Sequence, residues 1–472
     1  MASDRLEDVQ HPQADSREGT MKALQDRDDS STCSANGSVR TVSTATYERE
    51  EQEAEEIFRQ RIEKLCRVLW PPKSIKDRLV NSEVANHLRA NMFFGSLVPV
   101  PQTPLIERLR DGDLNHITSI TLPSSYGHGD RKLILRVPRW DQKRLDRNVA
   151  ILNYVRWKTS IPVPTIAATD FSCDNVLQKP YVLQHRIPGK DLNTVWDDLS
   201  HLQRCTVAGE LGRVIRTLLL LEHPTTGIIE AAPRSKGGVD CFSIVPYELD
   251  LGEGEEEPKA ETYISLTAFR PVESTLDSFR SQFGRWRTLA LKRSCGEIDN
   301  EIQLWDCMLR AVLEMEGLGL FRPNLNCLCH VDLHSGNIMV ETQSDMSIRL
   351  TAILDWDEAI FAPKFVNCKP PAWLWDDDYE DLLDEDDLDP WPYELDGANA
   401  LPSSREKQEL KRIFEENAGP EYPHLAYDEH SRLCRGLFRI AKDGLNDNAN
   451  WKAAERILSE WEILRHSLTS EF

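Results

Sequence analysis

CLCHVDLHSGNIMVE, residues 327–341, is the densest polar cluster in the chain. Its centre places His330, Asp332, His334 and Asn337 within eight positions and then runs into the apolar Ile338, Met339 and Val340. Three readings are open: a metal site, a catalytic loop, or a turn that is simply polar. His330, Asp332 and His334 alternate, so on an extended backbone they share a face and offer nitrogen and oxygen ligands to one cation. Zinc would want a further ligand nearby, and on that backbone Cys329 points the other way.

The catalytic reading uses a different pair. Transfer of a phosphoryl group needs a carboxylate to orient or deprotonate the attacking hydroxyl, and a side-chain oxygen five residues on to hold magnesium. Asp332 and Asn337 have that spacing. A second acid is needed just past a β-hairpin. Ile338 to Glu341 and Arg349 to Leu354 flank the polar QSDMS turn, and the second strand runs into ILDWDEA, which places Asp355 at its tip.

Working outward, 472 residues are enough for two or three domains with a full core. The 11 cysteines form no C-x-x-C pair, and Cys327 and Cys329 are the only close ones, as expected of a reduced, intracellular chain. The first residues are polar and acidic where a secretory signal needs an apolar run. Val214 to Leu221, the longest apolar stretch, is interrupted by Arg216 and is too short to span a bilayer. A soluble, cytoplasmic protein is expected. The net charge of -22 disfavours nucleic acid and anionic membranes as partners, and leaves open a cationic small molecule or a basic protein.

Residues 1–45 contain almost no large apolar side chains and are expected to form a disordered tail. Ile57, Ile62, Leu65, Val68 and Leu69 recur at helical spacing until Pro71 and Pro72. Leu105 to Val137 has the pattern of a hairpin, and Asp141 to Trp157 that of a helix. PYVL reads as a strand, and Asp197 to Glu222 as a helix. Arg234 to Ala260, with Gly252, Gly254 and Glu255 to Glu257, reads as an exposed loop or insertion. Helices are predicted around 273–317, 403–416 and 426–467. The fold class is α+β, with strands in front and helices behind; residues 46–185 and 186–472 are the expected halves.

HVDLHSGNIM followed by ILDWDEA resembles the aminoglycoside phosphotransferase and choline kinase-like family, whose pattern is H-x-D-x-x-x-x-N and then a strand ending in D-W. SIPVPT (160–165), KPYVLQHRIPGKDL (179–192) and FAPKFVNCKPPAWL (361–374) extend the likeness over roughly residues 90–375, and it is nearest to fungal members. The resemblance implies a two-lobed, protein-kinase-like fold, with a small β-rich N-lobe and a large, mainly helical C-lobe. It implies ATP and magnesium as cofactors and a small-molecule hydroxyl as acceptor. It casts Asp332 as catalytic base, and Asn337 and Asp355 as metal ligands with Asp357 the runner-up. His330 then braces the loop, and His334 has no assigned role.

For the nucleotide, the same resemblance puts a turn over the phosphates at Gly112 and Asn115, and a phosphate-pairing cation at Arg136, where lysine is commoner. Gln184, His185 and Ile187 are expected at the interlobe hinge, reading the adenine edge through their backbone, and Gly189 makes the turn between lobes. Asn148 stands where the family commonly has the glutamate that pairs with the cation, which leaves Arg136 without an evident anionic partner. That departure supports a competing class, a pseudokinase that binds nucleotide without transferring phosphate. The ten acids between Asp376 and Asp389 read either as a solvated loop or as a lip attracting an amine-bearing acceptor.

Overall fold

The alternation predicted for the front of the chain is present and builds a five-stranded antiparallel sheet in the order β1–β2–β3–β5–β4. Its strands are β1 (Leu105–Arg108), β2 (Asn115–Leu122), β3 (Arg131–Pro138), β4 (Ile166–Asp170) and β5 (Tyr181–His185). The structure is a computed structural model that describes residues 44–71, 103–109, 115–123, 126, 131–138, 145–232, 241–245, 274–294, 299–322, 325–344, 346–375, 401–446 and 448–470. Gly112, the tail before residue 44, the acidic run Asp376 to Asp389 and most of Arg234 to Ala260 lie outside these residues.

The chain divides into units 1–57 and 58–472. The first unit's described part is the opening of helix α1 (Thr44–Leu69). In the second unit, the later turns of α1 bring Ile62, Leu65 and Cys66 into a core with Leu133, Leu135 and Val137, which alternate along β3 and therefore share its buried face.

The second lobe is built on two further sheets. One has the order β7–β10–β13–β8–β9, comprising Glu222–His223, Asn326–Cys329, Ile360–Pro363, Gly227–Ala232 and Cys241–Val245 respectively. The other has the order β12–β11–β6, comprising Ser347–Ile353, Ile338–Ser344 and Lys190–Asp191. Strand β9 falls inside the stretch expected to be a loop. Its Phe242 and Ile244 supply the strand pattern that the surrounding Gly and Glu residues obscured, and it pairs with β8 from Ile228↔Val245 to Ala232↔Cys241.

Helix α2 (Leu145–Lys158) follows β3, and α3 (Leu192–Val195) follows β6. The helix expected over 197–222 begins later, as α4 (His201–Leu219), because Ser200 and Gln203 close a capping box that fixes its start. The 273–317 prediction resolves into α5 (Thr275–Arg293) and α6 (Asn300–Gly317), the second opened by the Asp299 cap. The 403–416 prediction is α7 (Arg405–Ala418). The long helix expected over 426–467 is three: α8 (Glu421–Tyr427), α9 (Glu429–Asp443) and α10 (Asn448–Ser470). Asp428 caps α9 by accepting from the Ser431 amide, and Gly444, at φ 79°, ends it.

α4, α7 and α8 pack with the two sheets into the largest core, whereas α5, α6, α9 and α10 form a second core around Trp286 and Trp305. Helix α2 departs from the expected halves. Ala150, Ile151, Leu152 and Val155 belong to the large core and not to the N-terminal sheet's core. Arg147 reinforces this by pairing with Glu230 of β8 at 2.8 Å. None of the described helices is long and apolar enough to cross a membrane.

Candidate functional site

Strand β10 is wholly buried and delivers the loop that starts at His330. It pairs with β13, Cys329 opposite Ile360, so the chain emerges at His330 from the middle of a sheet. His330 is 1% exposed, and its Nε2–H donates to the Leu354 carbonyl at 2.8 Å. Burial pushes the imidazole down to about 4, so the ring is neutral at pH 7. Its partner Nδ1 is buried without a hydrogen bond, and Trp356 lies against the ring at 4.6 Å.

The next residue, Val331, has φ 72°, a left-handed conformation costly for a β-branched side chain. That kink leaves Asp332 exposed on the loop. The turn Ser335–Asn337 follows, capped by His334 Nδ1, which accepts from the Gly336 amide at 3.1 Å. Asn337 Nδ2 donates to the Asp332 carbonyl at 2.9 Å and to its Oδ2 at 3.0 Å. The amide nitrogen also lies 3.1 Å from His334 Nε2, and Asn337 Oδ1 takes no hydrogen bond from the described residues.

The zinc alternative does not fit this geometry: His330 turns inward while Asp332 and His334 stay outside, so the three do not converge. Among the described residues, the histidine, cysteine and carboxylate grouping with ligand-like spacing is His201, Cys205 and Glu409, within 4.8 Å of one another. There His201 Nε2 lies 2.9 Å from the Glu409 carboxylate.

The hairpin β11–β12 sets Asp355 beside this loop. Ile338 pairs with Ile353, and the Leu354 amide donates to the Asn337 carbonyl at 2.8 Å. Asp355 itself has φ 56°. Burial, reinforced by Asp357, pushes its carboxyl up to about 6 against the opposing pull of Arg136; Asp332 and Glu358 add to the rise. The Asp355 carboxylate and the Asn337 amide oxygen are both hard oxygen donors, of the type that a divalent cation such as magnesium takes.

The nucleotide half corrects the sequence reading at Arg136. Its Nη2 donates to Asp357 Oδ2 at 2.7 Å, with side-chain exposures of 12% and 16%. Asn148 Nδ2 donates to the other oxygen, Asp357 Oδ1. Arg136 therefore does have an anionic partner, supplied by the segment after Asp355 and not by α2. Arg136 Nε is buried without a partner.

Asn115 is the first residue of β2, opposite Pro138, and its Oδ1 is buried and unpartnered. Gln184 is paired on both sides, with Ile134 and Ile166, and the His185 amide donates to the Thr165 carbonyl at 2.8 Å. The sheet thus occupies much of their backbone. Ile187 makes no backbone hydrogen bond to the described residues, which leaves it the most accessible of the three for reading a base edge.

Spacing gave no sign of one further feature. An open cleft is lined by Thr226, Gly227, Phe279, Gln282, Glu358 and Lys442, among others. Ile360 also lines it, and because Ile360 pairs with Cys329, the cleft adjoins the strand end from which the Asp332 loop leaves. Glu358 and Lys442 pair across it at 2.6 Å. These residues come from four distant stretches of chain, so only the fold brings them together.

Against known proteins, the family model described as "Phosphotransferase enzyme family" matches residues 125–363, just over half of the chain. A curated relative, the Clavilactone A biosynthesis cluster protein Y of Ampulloclitocybe clavipes, is 24% identical over 251 residues, which is 51% of this chain and 56% of that protein. The chain thus matches little more than half the length of this relative. Among solved structures, a thermostable mutant of aminoglycoside phosphotransferase APH(4)-Ia in ternary complex with AMP-PNP and hygromycin B aligns with TM-score 0.39 and 16% identity, covering 77% of this chain and 93% of that one. The Plasmodium vivax ethanolamine kinase aligns with TM-score 0.37 and 14% identity, covering 76% and 82%. With the family match spanning both the Asp332 loop and the Asp355 hairpin, the chain belongs to the phosphotransferase enzyme family.

Proposed function

We propose that the protein transfers the γ-phosphoryl group of ATP to a hydroxyl of a small molecule, with magnesium as cofactor. The observation that carries this reading is the bond from Asn337 Nδ2 to Asp332 Oδ2, 3.0 Å long. It fixes an exposed carboxylate and at the same time turns the amide oxygen of Asn337 to other use. Asp355 lies close enough to Asp332 for the two carboxylates to interact.

In this reading Asp332 accepts the proton of the acceptor hydroxyl as the oxygen–phosphorus bond forms and the bond from the γ-phosphorus to the bridging oxygen breaks, releasing ADP. Asn337 Oδ1 and Asp355 would hold magnesium, which supplies charge neutralisation on the phosphates. Arg136 supplies fixed positive charge from β3. The backbone of Ile187 meets the base edge, and the acceptor enters from the cleft bordered by Glu358 and Phe279. Glu358 and Lys442, paired across it, give the cleft polar groups of both signs for an acceptor to meet.

The competing reading is a pseudokinase. Its ground was an Arg136 without an acid, and the contact with Asp357 removes that ground. The test is a screen of metabolite pools for label transfer from γ-labelled ATP and, separately, γ-labelled GTP, with Asp332→Asn as control. Labelled product with the parent and none with the variant supports transfer. Nucleotide binding without any labelled product supports the pseudokinase.

A further inference from the structure

Asp357 is an acid that reaches from the large lobe to Arg136 of the N-terminal sheet. Arg136 stands on β3 and Asp357 four residues after β12, while Asn148 stands on α2, which packs in the large lobe's core. Both Asp357 oxygens are engaged, one by Arg136 Nη2 and the other by Asn148 Nδ2. The arginine and the acid are each less than one-fifth exposed. A charge held so far from water is costly unless its partner stays in place.

We propose that Asp357 is the positioning residue for Arg136, and that it makes residue 148 an amide: the carboxylate that fixes the cation comes from the segment after Asp355, so a second carboxylate on α2 would face it directly. Asn148 meets Asp357 as a donor, which a glutamate could not do when ionised. Nη2 is used by this pair, whereas Nε, on the same edge of the guanidinium, is buried without a partner, so Asp357 holds the group through a single nitrogen. This assignment rests on the phosphotransferase reading only where it concerns nucleotide; the exchange of carboxylate and amide between positions 357 and 148 stands on the contacts alone.

The experiment is a double-mutant cycle with Asp357→Asn, Asn148→Glu and the pair together, read by melting temperature and by affinity for fluorescent ATP with magnesium and in EDTA. Asp357→Asn strands Arg136 and is expected to lower the melting temperature and weaken nucleotide binding about 10-fold in both buffers, the scale of a disrupted part-buried pair. In the Asn148→Glu background the same change should recover most of both losses, because Glu at 148 then serves Arg136 alone. Additive effects would overturn the proposal. So would a loss of binding seen only with magnesium and unrelieved by Asn148→Glu, since that is the signature of a metal ligand. A fall in melting temperature with unchanged affinity at 20 °C would reduce the pair to a structural contact and overturn the positioning role. If the parent bound no nucleotide, the phosphotransferase reading would fail instead, and the melting-temperature cycle would still decide the exchange.

Discussion

The Nε2–H of His330 donates to the carbonyl of Leu354 at 2.8 Å, and the residue after each of them, Val331 and Asp355, has left-handed backbone at φ 72° and 56°. One buried bond thus clamps the base of two strained turns, those that present Asp332 and Asp355. Strain of this kind costs about 1–3 kcal/mol per residue and persists only where the surroundings enforce it.

His330 should therefore make the protein acid-sensitive. Its pKa falls from 6.5 to about 4 on folding, so the unfolded chain binds more protons between those values, and stability is lost as pH falls through that window. The full effect is about 3 kcal/mol. Asp355, raised from 3.8 to about 6, acts in the opposite sense over much of the same range. His330→Gln keeps a donor for Leu354 and removes the titration. Its melting temperature should fall less steeply than the parent's between pH 6.5 and 4; parallel curves would contradict the account.

Asp332→Asn should reduce turnover by ~10²–10⁴-fold, the range for loss of a general base, with nucleotide affinity changed by no more than about twofold. Asparagine preserves the shape that Asn337 grips. Steady-state kinetics on any acceptor found by the label screen, paired with calorimetry for nucleotide, would check both halves.

Asn337→Ala and Asp355→Ala should each weaken nucleotide binding with magnesium by about 10-fold while leaving binding in EDTA nearly unchanged, because each removes a hard oxygen donor. In the parent, a proton on Asp355 competes with the cation. The advantage that magnesium gives to nucleotide affinity should then shrink as pH falls below about 6. An advantage that is flat from pH 7.5 to 5 would argue against Asp355 as a ligand.

Gly189→Ala should be strongly destabilising. Gly189 has φ 99°, and a Cβ there would lie 2.0 Å from the Val340 carbonyl oxygen, so a methyl group would force β6 off β11. A loss of ~2–4 kcal/mol in chemical denaturation is expected. Gly284→Ala is the control: a Cβ at that site in α5 meets nothing within 4 Å, and helix propensity favours alanine by up to about 1 kcal/mol.

The candidate site was legible in the sequence where chemistry is local. Asp332, Asn337 and Asp355 lie on one loop and the end of one hairpin, and their spacing is enough to make them neighbours. Arg136 was also named from the sequence, but its partner was not. Asp357 is 221 residues away, and no periodicity links a position on β3 to one beyond β12. The strand at Phe242 and Ile244 was hidden by its Gly- and Glu-rich surroundings. The long C-terminal helix was overread because Asp428 and Gly444 act through capping geometry, and such breaks leave the apolar spacing intact on either side. The cleft by Glu358 and Lys442 depends on the packing of α5 and α9 against β13, which local pattern does not encode.

The placement of α2 decides what can move. Its apolar face is built into the large lobe, and Arg147 bolts it to Glu230, so the helix is anchored to that lobe and not to the N-terminal sheet's core. On the hinge side, the Arg186 amide is tied to the Lys132 carbonyl, and one residue past Ile187 the Pro188 carbonyl is held by Thr351 of β12. Any tilting of the sheet at this strap must be taken up at Ile187, the residue whose backbone makes no hydrogen bond to the described residues. A ligand bridging Ile187 and Arg136 would then act as a doorstop at both ends of the swing, fixing the angle of the sheet as it binds.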